Sequence, residues 1–198
     1  VEQEFWRAPQ HKTQPHRSPL QRVVENAQDL LVVGGSRLRV RQFVEIHQLV
    51  DGAGLPLVIL VGAGQAGDSP MFEHLLSHLK VGRSAGGPPR TRPRRVRADK
   101  AYSSRRNRDL LRRRRIGAVI PEPRDQQGHR KRRGSAGGRP PSFDSEDYKG
   151  RNVVERRFCD LKQWRGLATR YDKLAIVYRG AAVLNAIVAW TRRLSDTP

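Results

Sequence analysis

Two β-prone runs around an Asp-Gly turn restrict most strongly what this chain can fold into. The runs are Phe43–Val50 and Leu55–Val61, and Asp51-Gly52-Ala53-Gly54 lies between them. Two such runs joined by a short glycine-containing turn predict a β-hairpin. The second run is apolar enough to predict a central strand. The chain must therefore build a sheet, and the other elements have to pack on it.

Downstream of the hairpin, helical and strand patterns alternate. This order predicts an α/β fold, a mixed sheet with helices packed on it. The expected elements are a helix over 71–80, a strand over 94–98 followed by a helix to about residue 115, a strand over 116–121 and a long apolar-faced helix over 173–193. Upstream, residues 20–33 predict a short helix, and the rest of the first 40 residues shows no period. The glycine-rich loop 62–70 lacks the Lys-Ser/Thr ending of a nucleotide-binding loop, so nucleotide binding is not expected.

The stretch from Tyr148 to Lys162 predicts one helix with a chemically mixed face. Acidic and hydroxyl residues precede it where a helix N-terminus favours them. At roughly 100° per residue, one aromatic, two cations and one carboxylate fall within an arc of about 60°: Tyr148, Arg151, Glu155 and Lys162. A carboxylate among cations suits a metal ion held beside a phosphodiester. The plainer interpretation is an amphipathic helix with an internal ion pair.

Asp99 is the best candidate acid outside this helix. It follows the predicted strand 94–98 and precedes a helix, and open α/β sheets usually bind ligands at such a strand end. Helix capping is the alternative role, although Ser103 and Ser104 are also available as caps.

The spacing Tyr-x2-Arg-x3-Glu-x6-Lys is matched at all four positions, and it resembles the signature of the DDE transposases of bacterial insertion sequences. The neighbouring text Leu-Lys-Gln-Trp-Arg-Gly resembles that family too, as do Gly-Gln-Ala-Gly-Asp over 64–68 and Val-x-Ala-Asp-Lys-x-Tyr over 96–102. The resemblance covers about residues 44–194.

The resemblance implies an RNase H-like fold and a site of three carboxylates that hold two Mg²⁺ (or Mn²⁺) ions. Carried over residue by residue, it makes Asp99 and Glu155 catalytic acids and metal ligands, and it places Lys100, Tyr148, Arg151 and Lys162 against DNA. The implied partner is double-stranded DNA, both transposon ends and target, and a homodimer is compatible with this interpretation.

The first of the family's three carboxylates has no match in this chain. It belongs on the first strand, upstream of the hairpin, and the only acids there are Glu2, Glu4, Glu25 and Asp29. Asp29 is the least poor substitute, while Glu45 and Asp51 lie within the hairpin. The sequence therefore predicts a fold that lacks its first strand, as a truncated or frameshifted element would.

A formal net charge of +20 points to a polyanionic partner. The polar segment 122–146 contains Arg130, Lys131, Arg132 and Arg133 and is predicted to be a mobile basic loop that contacts phosphates. The alternative is a solvated basic surface without a partner.

The single cysteine, Cys159, and the absence of a secretory pattern at the polar N-terminus predict a cytoplasmic protein. The most apolar stretch, 174–190, contains Arg179 and Asn185, so no membrane-spanning segment is expected. The chain begins with Val1, as a fragment or a protein with an unusual start would.

The expected organisation is an irregular segment over 1–41, an RNase H-like catalytic domain over 42–194 and a tail over 195–198. The predicted function is that of a DNA transposase, which cleaves and transfers DNA strands with two divalent ions, here as a partial copy with impaired catalysis. Two alternatives remain open: a catalytically dead remnant that only binds DNA, and an unrelated basic RNA-binding protein. These three functions differ in whether Asp99 and Glu155 meet, and in whether a third acid joins them.

Overall fold

The computed structural model describes residues 30–37, 44–63, 67–83, 86–169 and 174–195. Within them, five strands form one sheet in the order β3-β2-β1-β4-β5. The strands are β1 Leu30–Arg37, β2 Val44–Asp51, β3 Pro56–Ala63, β4 Arg95–Ala98 and β5 Gly117–Val119. β2 pairs antiparallel with both β1 and β3, whereas β4 pairs parallel with β1 on the other side and β5 pairs parallel with β4. This is the RNase H-like mixed sheet that the sequence predicts.

The prediction that the first strand is missing is wrong. Leu30–Arg37 forms β1 at the centre of the sheet, so the helix predicted over 20–33 and the irregular segment predicted over 1–41 are also wrong for these residues. Val32 and Val33 are fully buried in different clusters, because alternate side chains of a strand point to opposite faces. Burial on both faces stabilises a strand here more than local preference stabilises a helix. Residues 1–29, which include Asp29 and the other acids upstream of the hairpin, lie outside the described part of the chain.

Helices cover both faces of the sheet. They are α1 Asp68–Ser77, α2 Arg105–Arg113, α3 Arg124–Arg132, α4 Ser145–Lys149, α5 Asn152–Gln163, α6 Arg165–Thr169 and α7 Ala175–Ser195. One core joins Val33 to apolar residues of α1 and α2. The other joins Val32 to α5, α6 and α7. The sheet is therefore the middle layer of three, which fixes the side from which each helix reaches it.

β3 lies at the edge of the sheet, so its prediction as a central strand is wrong. Its apolar sequence has another cause, since Val58 packs into one core and Ile59 into the other. The indole Nε1 of Trp190 in α7 also donates a 2.8 Å hydrogen bond to the carbonyl oxygen of Pro56. The apolar sequence of β3 is explained by the helices that cover both of its faces, and not by strands paired with both of its edges.

The helix predicted over 148–162 is interrupted, because α4 ends at Lys149 and α5 begins at Asn152. At the junction the backbone forms i→i−3 hydrogen bonds: Gly150 N–H donates to the carbonyl oxygen of Asp147, and Arg151 N–H donates to that of Tyr148. A Cβ at Gly150 would fall on the guanidinium of Arg97, which is ion-paired with Asp147. The absence of a side chain at Gly150 therefore lets the Arg97 guanidinium lie directly against the junction.

The segment 122–146 is more ordered than the loop predicted there. It contains α3 and a 3₁₀ turn over Gly134–Gly137. Asp125 lies in the first turn of α3 and basic residues in its last turn, the arrangement that the helix dipole favours. The guanidinium of Arg130 forms an ion pair with the Glu122 carboxylate, and both side chains are less than one-fifth exposed.

Candidate active site

Asp99 lies directly beyond the carboxyl end of β4, as predicted. Its Oδ1 accepts a long hydrogen bond of 3.4 Å from Ala101 N–H, at the start of the 3₁₀ turn Lys100–Tyr102. Ser104, whose Oγ accepts from Asn107 N–H, caps the following helix α2. Asp99 is thus only a weak cap, and with 42% of its side chain exposed it faces solvent.

The guanidinium of Arg151 lies between Asp99 and Glu155. Its Nη2 donates to Glu155 Oε1 at 2.5 Å, and its Nη1 is 3.8 Å from Asp99 Oδ2. Glu155 is in the first turn of α5 and is 53% exposed, whereas Arg151 is only 20% exposed. Two acids 56 positions apart in the sequence therefore meet at one cation.

Tyr148 completes this group from α4. Its ring centroid is 5.6 Å from Arg151 Cζ, a cation–π distance. Burial would lower the pKa of Arg151, but Tyr148, Glu155 and Asp99 outweigh it and raise that pKa. Burial is also the main cause of the raised pKa of Tyr148. The guanidinium stays charged and the phenol stays neutral at any ordinary pH.

The remaining predicted DNA contacts lie on the surface. Lys100 and Lys162 are exposed, and Lys162 lies seven residues, or about two turns, beyond Glu155 on α5. Lys131, Arg132 and Arg133 are exposed at the end of α3. Arg130 differs from them because it is half-buried in its ion pair with Glu122.

The position beside Asp99 on the neighbouring strand carries no acid. Val33 of β1 pairs with Ala98 of β4, so the next residues along these two parallel strands are Gly34 and Asp99. A Cβ at Gly34 would lie 2.7 Å from Val154 Cγ2 and 2.9 Å from Phe158 Cε2, both on α5. There is no room for a side chain. The family's group, a divalent ion, would here find two exposed carboxylates, and β1 does not supply the third.

The acids of the hairpin do not fill that gap. Asp51 Oδ1 accepts hydrogen bonds from Ala53 N–H and Leu55 N–H within the turn, and burial raises its pKa. Glu45 is 2% exposed and lies 3.9 Å from the buried His47. Asp68 begins α1 and lies 3.5 Å from the other side of the same imidazole.

An open cleft of about 840 Å³ adjoins Asp99 and has an acidic lining, although the chain as a whole is strongly basic. Asp68, Asp99, Glu122 and Asp125 are among its lining residues, together with Lys100 and Arg124. Sequence reasoning missed Asp68 in this group. The sequence signal reaches only its neighbours, since the alternation Glu45-x-His47 places two polar side chains on one face of β2.

The described helices include none with the length and apolarity to cross a membrane. The family model "Transposase DDE domain" matches residues 5–190, and the chain therefore belongs to the DDE transposase domain family.

Two relatives carry names from insertion sequences. A putative transposase for insertion sequence element IS402 of Burkholderia cepacia is 30% identical over 160 residues, which cover 80% of this chain and 68% of that protein. A putative transposase for insertion sequence element IS6501 of Brucella ovis is 31% identical over 149 residues, 75% of this chain and 98% of that protein.

A solved structure, a simian T-cell lymphotropic virus intasome in complex with the PP2A regulatory subunit B56 gamma, matches with a TM-score of 0.40 and 12% identity. The match covers 81% of this chain and 48% of the other, and at that level of similarity it adds nothing to the family assignment.

Proposed function

We propose that this chain is the catalytic domain of a DNA transposase in which two of the three catalytic acids remain and strand cleavage is impaired. The observation that carries the proposal is the meeting of Asp99 and Glu155 at Arg151. Family membership removes the unrelated RNA-binding alternative, since the segments around both acids belong to the matched region.

Asp99 and Glu155 are the residues that would hold a divalent ion, Mg²⁺ or Mn²⁺, because both are exposed oxygen donors that face one cation. Bound there, such an ion would supply Lewis-acid stabilisation of charge on a phosphodiester. Arg151 offsets one of the two negative charges and offers its remaining N–H donors to a phosphate oxygen. Tyr148 restricts the guanidinium by packing on it.

Impaired cleavage follows from Gly34. Loss of one of three carboxylates leaves the ions under-ligated, and Mg²⁺ needs near-octahedral oxygen geometry. A site that works by preorganised charge should then lose several kcal/mol of transition-state stabilisation, roughly a thousandfold or more in rate. The packing of α5 over Gly34 favours this proposal over a fully working enzyme.

Binding to double-stranded DNA should persist without cleavage. Lys100, Lys162 and the run 131–133 are exposed cations, and exposed cations of this kind mostly contact phosphates rather than bases. Affinity should therefore depend steeply on salt and little on sequence. A homodimer and a cytoplasmic location are likewise proposals.

The test is a cleavage assay on the element's own end sequences with Mg²⁺ or Mn²⁺. It compares this chain with a chimaera whose β1 region is replaced by the Asp-bearing first-strand region of a complete family member. We expect DNA binding by both proteins and efficient cleavage only by the chimaera.

Variants of the chimaera then separate the outcomes. Asp99→Asn and Glu155→Gln should each abolish its cleavage, whereas Asp109→Asn, on the exposed side of α2, should not. Cleavage by the unaltered chain that Asp99→Asn abolishes would show that another acid completes the site. A chimaera that folds and binds DNA but never cleaves it would favour a catalytically dead remnant, in which catalytic features outside β1 are lost as well.

A further inference from the structure

His47 is a buried histidine whose surroundings do not satisfy it. Its side chain, on β2, is 0% exposed. Neither Nδ1 nor Nε2 has a hydrogen-bond partner among the described residues. Burial lowers its pKa although Asp68 acts in the opposite direction, so the imidazole is neutral at pH 7. A buried imidazole whose two nitrogens lack hydrogen-bond partners in the described part of the chain requires an explanation.

Two carboxylates lie on either side of this ring. Glu45, two residues earlier on the same face of β2, places Oε2 3.9 Å from Nε2. Asp68, in the first turn of α1, places Oδ1 3.5 Å from Nδ1, and this oxygen too is buried with no hydrogen bond from the described part of the chain. One ligand atom from each of the three residues lies within 4.8 Å of the others.

The backbone around the ring leaves the space open. Gly62 of β3 pairs directly with Glu45, and a Cβ at Gly62 would lie 3.2 Å from His47 Nε2. Any larger residue would press on the imidazole edge. The cluster thus joins β2 to the first turn of α1 beneath a glycine.

We propose that Glu45, His47 and Asp68 form a binding site for a divalent transition-metal ion, separate from the Asp99–Glu155 pair. One imidazole nitrogen and two carboxylate oxygens form a donor set typical of Zn²⁺ or Mn²⁺, whereas Mg²⁺ favours oxygen ligands and retains water. Metal bonds of about 2 Å would place tetrahedral ligand atoms roughly 3.3 Å apart. The ion would take one of the two imidazole nitrogens, and the three ligand atoms, which lie within 4.8 Å of one another, would close to that spacing around it.

The ion would connect this cluster to the cleft beside Asp99. Asp68 contributes to the cleft wall, and Tyr102, whose pKa is raised by burial and then by Asp68, Glu45 and Asp99, lies among the same charges. A metal bond to Asp68 would fix that wall and hold α1 against β2. The inference does not depend on DNA cleavage by the Asp99–Glu155 pair.

The first measurement uses the full chain after removal of metal by a chelator. Zn²⁺, Mn²⁺ and Mg²⁺ are titrated separately by calorimetry, and the melting temperature is followed with each ion. We expect one equivalent of Zn²⁺ to bind, a rise in melting temperature, and much weaker binding of Mg²⁺ at this site.

Matched variants locate the ion. His47→Gln and Asp68→Asn should weaken Zn²⁺ binding by at least the roughly 10–100-fold that loss of an outer-shell partner costs. The controls are His78→Gln, which changes an exposed histidine at the end of α1, and Asp125→Asn, which changes another acid of the same cleft. Both controls should bind Zn²⁺ as the unaltered chain does.

X-ray absorption at the zinc edge of the unaltered chain decides the matter even if the His47 variant fails to fold. One histidine nitrogen with oxygen ligands supports the site. No saturable binding, a spectrum without histidine, or sensitivity to His78→Gln in place of His47→Gln would overturn the proposal. So would a ring that NMR shows to be protonated at pH 7 with Zn²⁺ present, because the cluster would then be an imidazolium held by two acids.

Discussion

Substitution of Gly34 should be destabilising out of proportion to its size, because α5 lies directly on this residue. In Gly34→Ala the new methyl carbon would lie 2.7 Å from Val154 Cγ2 and 2.9 Å from Phe158 Cε2. Both side chains are at least 94% buried in the core between the sheet and α5. They have nowhere to move without displacing α5 or other core residues.

The expected cost can be built from two opposing terms. Overpacking a filled core costs about 1–3 kcal/mol, while the loss of glycine's freedom in the unfolded chain returns roughly 0.4–1 kcal/mol. Gly34→Ala should therefore destabilise the fold by about 1–2 kcal/mol. Gly34→Asp adds a buried carboxylate without a partner and should cost several kcal/mol more, a large part of the roughly 5–15 kcal/mol that holds such a domain together.

Urea unfolding, followed by circular dichroism and tryptophan fluorescence, measures these differences. Gly180→Ala is the matched control, since Gly180 is exposed on α7 with nothing within 4 Å of an added Cβ. That change should stabilise the fold by about 0.5–1 kcal/mol. If Gly34→Ala were as stable as the unaltered chain, α5 would not pack on β1 as described. If Gly34→Asp folded normally and gained metal-dependent cleavage, the argument for a blocked third ligand would be refuted.

Three further predictions concern charge. Burial would raise the pKa of Asp147, but Arg97 and Arg95 outweigh it and lower that pKa. The ionised Asp147 therefore stabilises the fold above the ordinary pKa of about 3.9, and this stabilisation is lost as pH falls through the lower folded value. Asp147→Asn should remove this part of the acid sensitivity when unfolding is measured from pH 5 to pH 2. Asn185→Ala removes the side-chain acceptor of the buried Arg157 guanidinium and should cost about 2–3 kcal/mol in urea unfolding, whereas no loss would mean that water replaces the amide. Replacing the exposed run 131–133 with glutamine should weaken DNA binding in filter or fluorescence assays. The slope of log affinity against log salt concentration should fall by up to about three units, with the melting temperature unchanged. An unaltered slope would exclude these side chains from the interface.

The candidate site was predictable to the extent that it depends on local order. Asp99 at a strand end and Glu155 on a helix follow from the pattern of strands and helices along the chain, and their roles from the spaced residues around them. Their meeting at Arg151 required the sheet, because parallel pairing of β1 with β4 and packing of α5 on β1 bring the two acids to the same edge.

The cluster of Glu45, His47 and Asp68 was not predictable in the same way. Glu45 and His47 share a strand face by simple alternation, but Asp68 reaches them only because α1 returns across the hairpin. Sequence spacing gives no measure of that approach.

By itself, the sequence determined the hairpin, the alternation of helix and strand, the family and the basic charge, because each depends on residues close together in the chain or on composition. Only the tertiary structure decided the rest. Burial from both faces made Leu30–Val33 a strand instead of a helix, and helical cover on both sides accounted for an apolar edge strand. In each case a contact between distant parts of the chain outweighed the local preference, which is worth at most about 1 kcal/mol per residue for anything but proline.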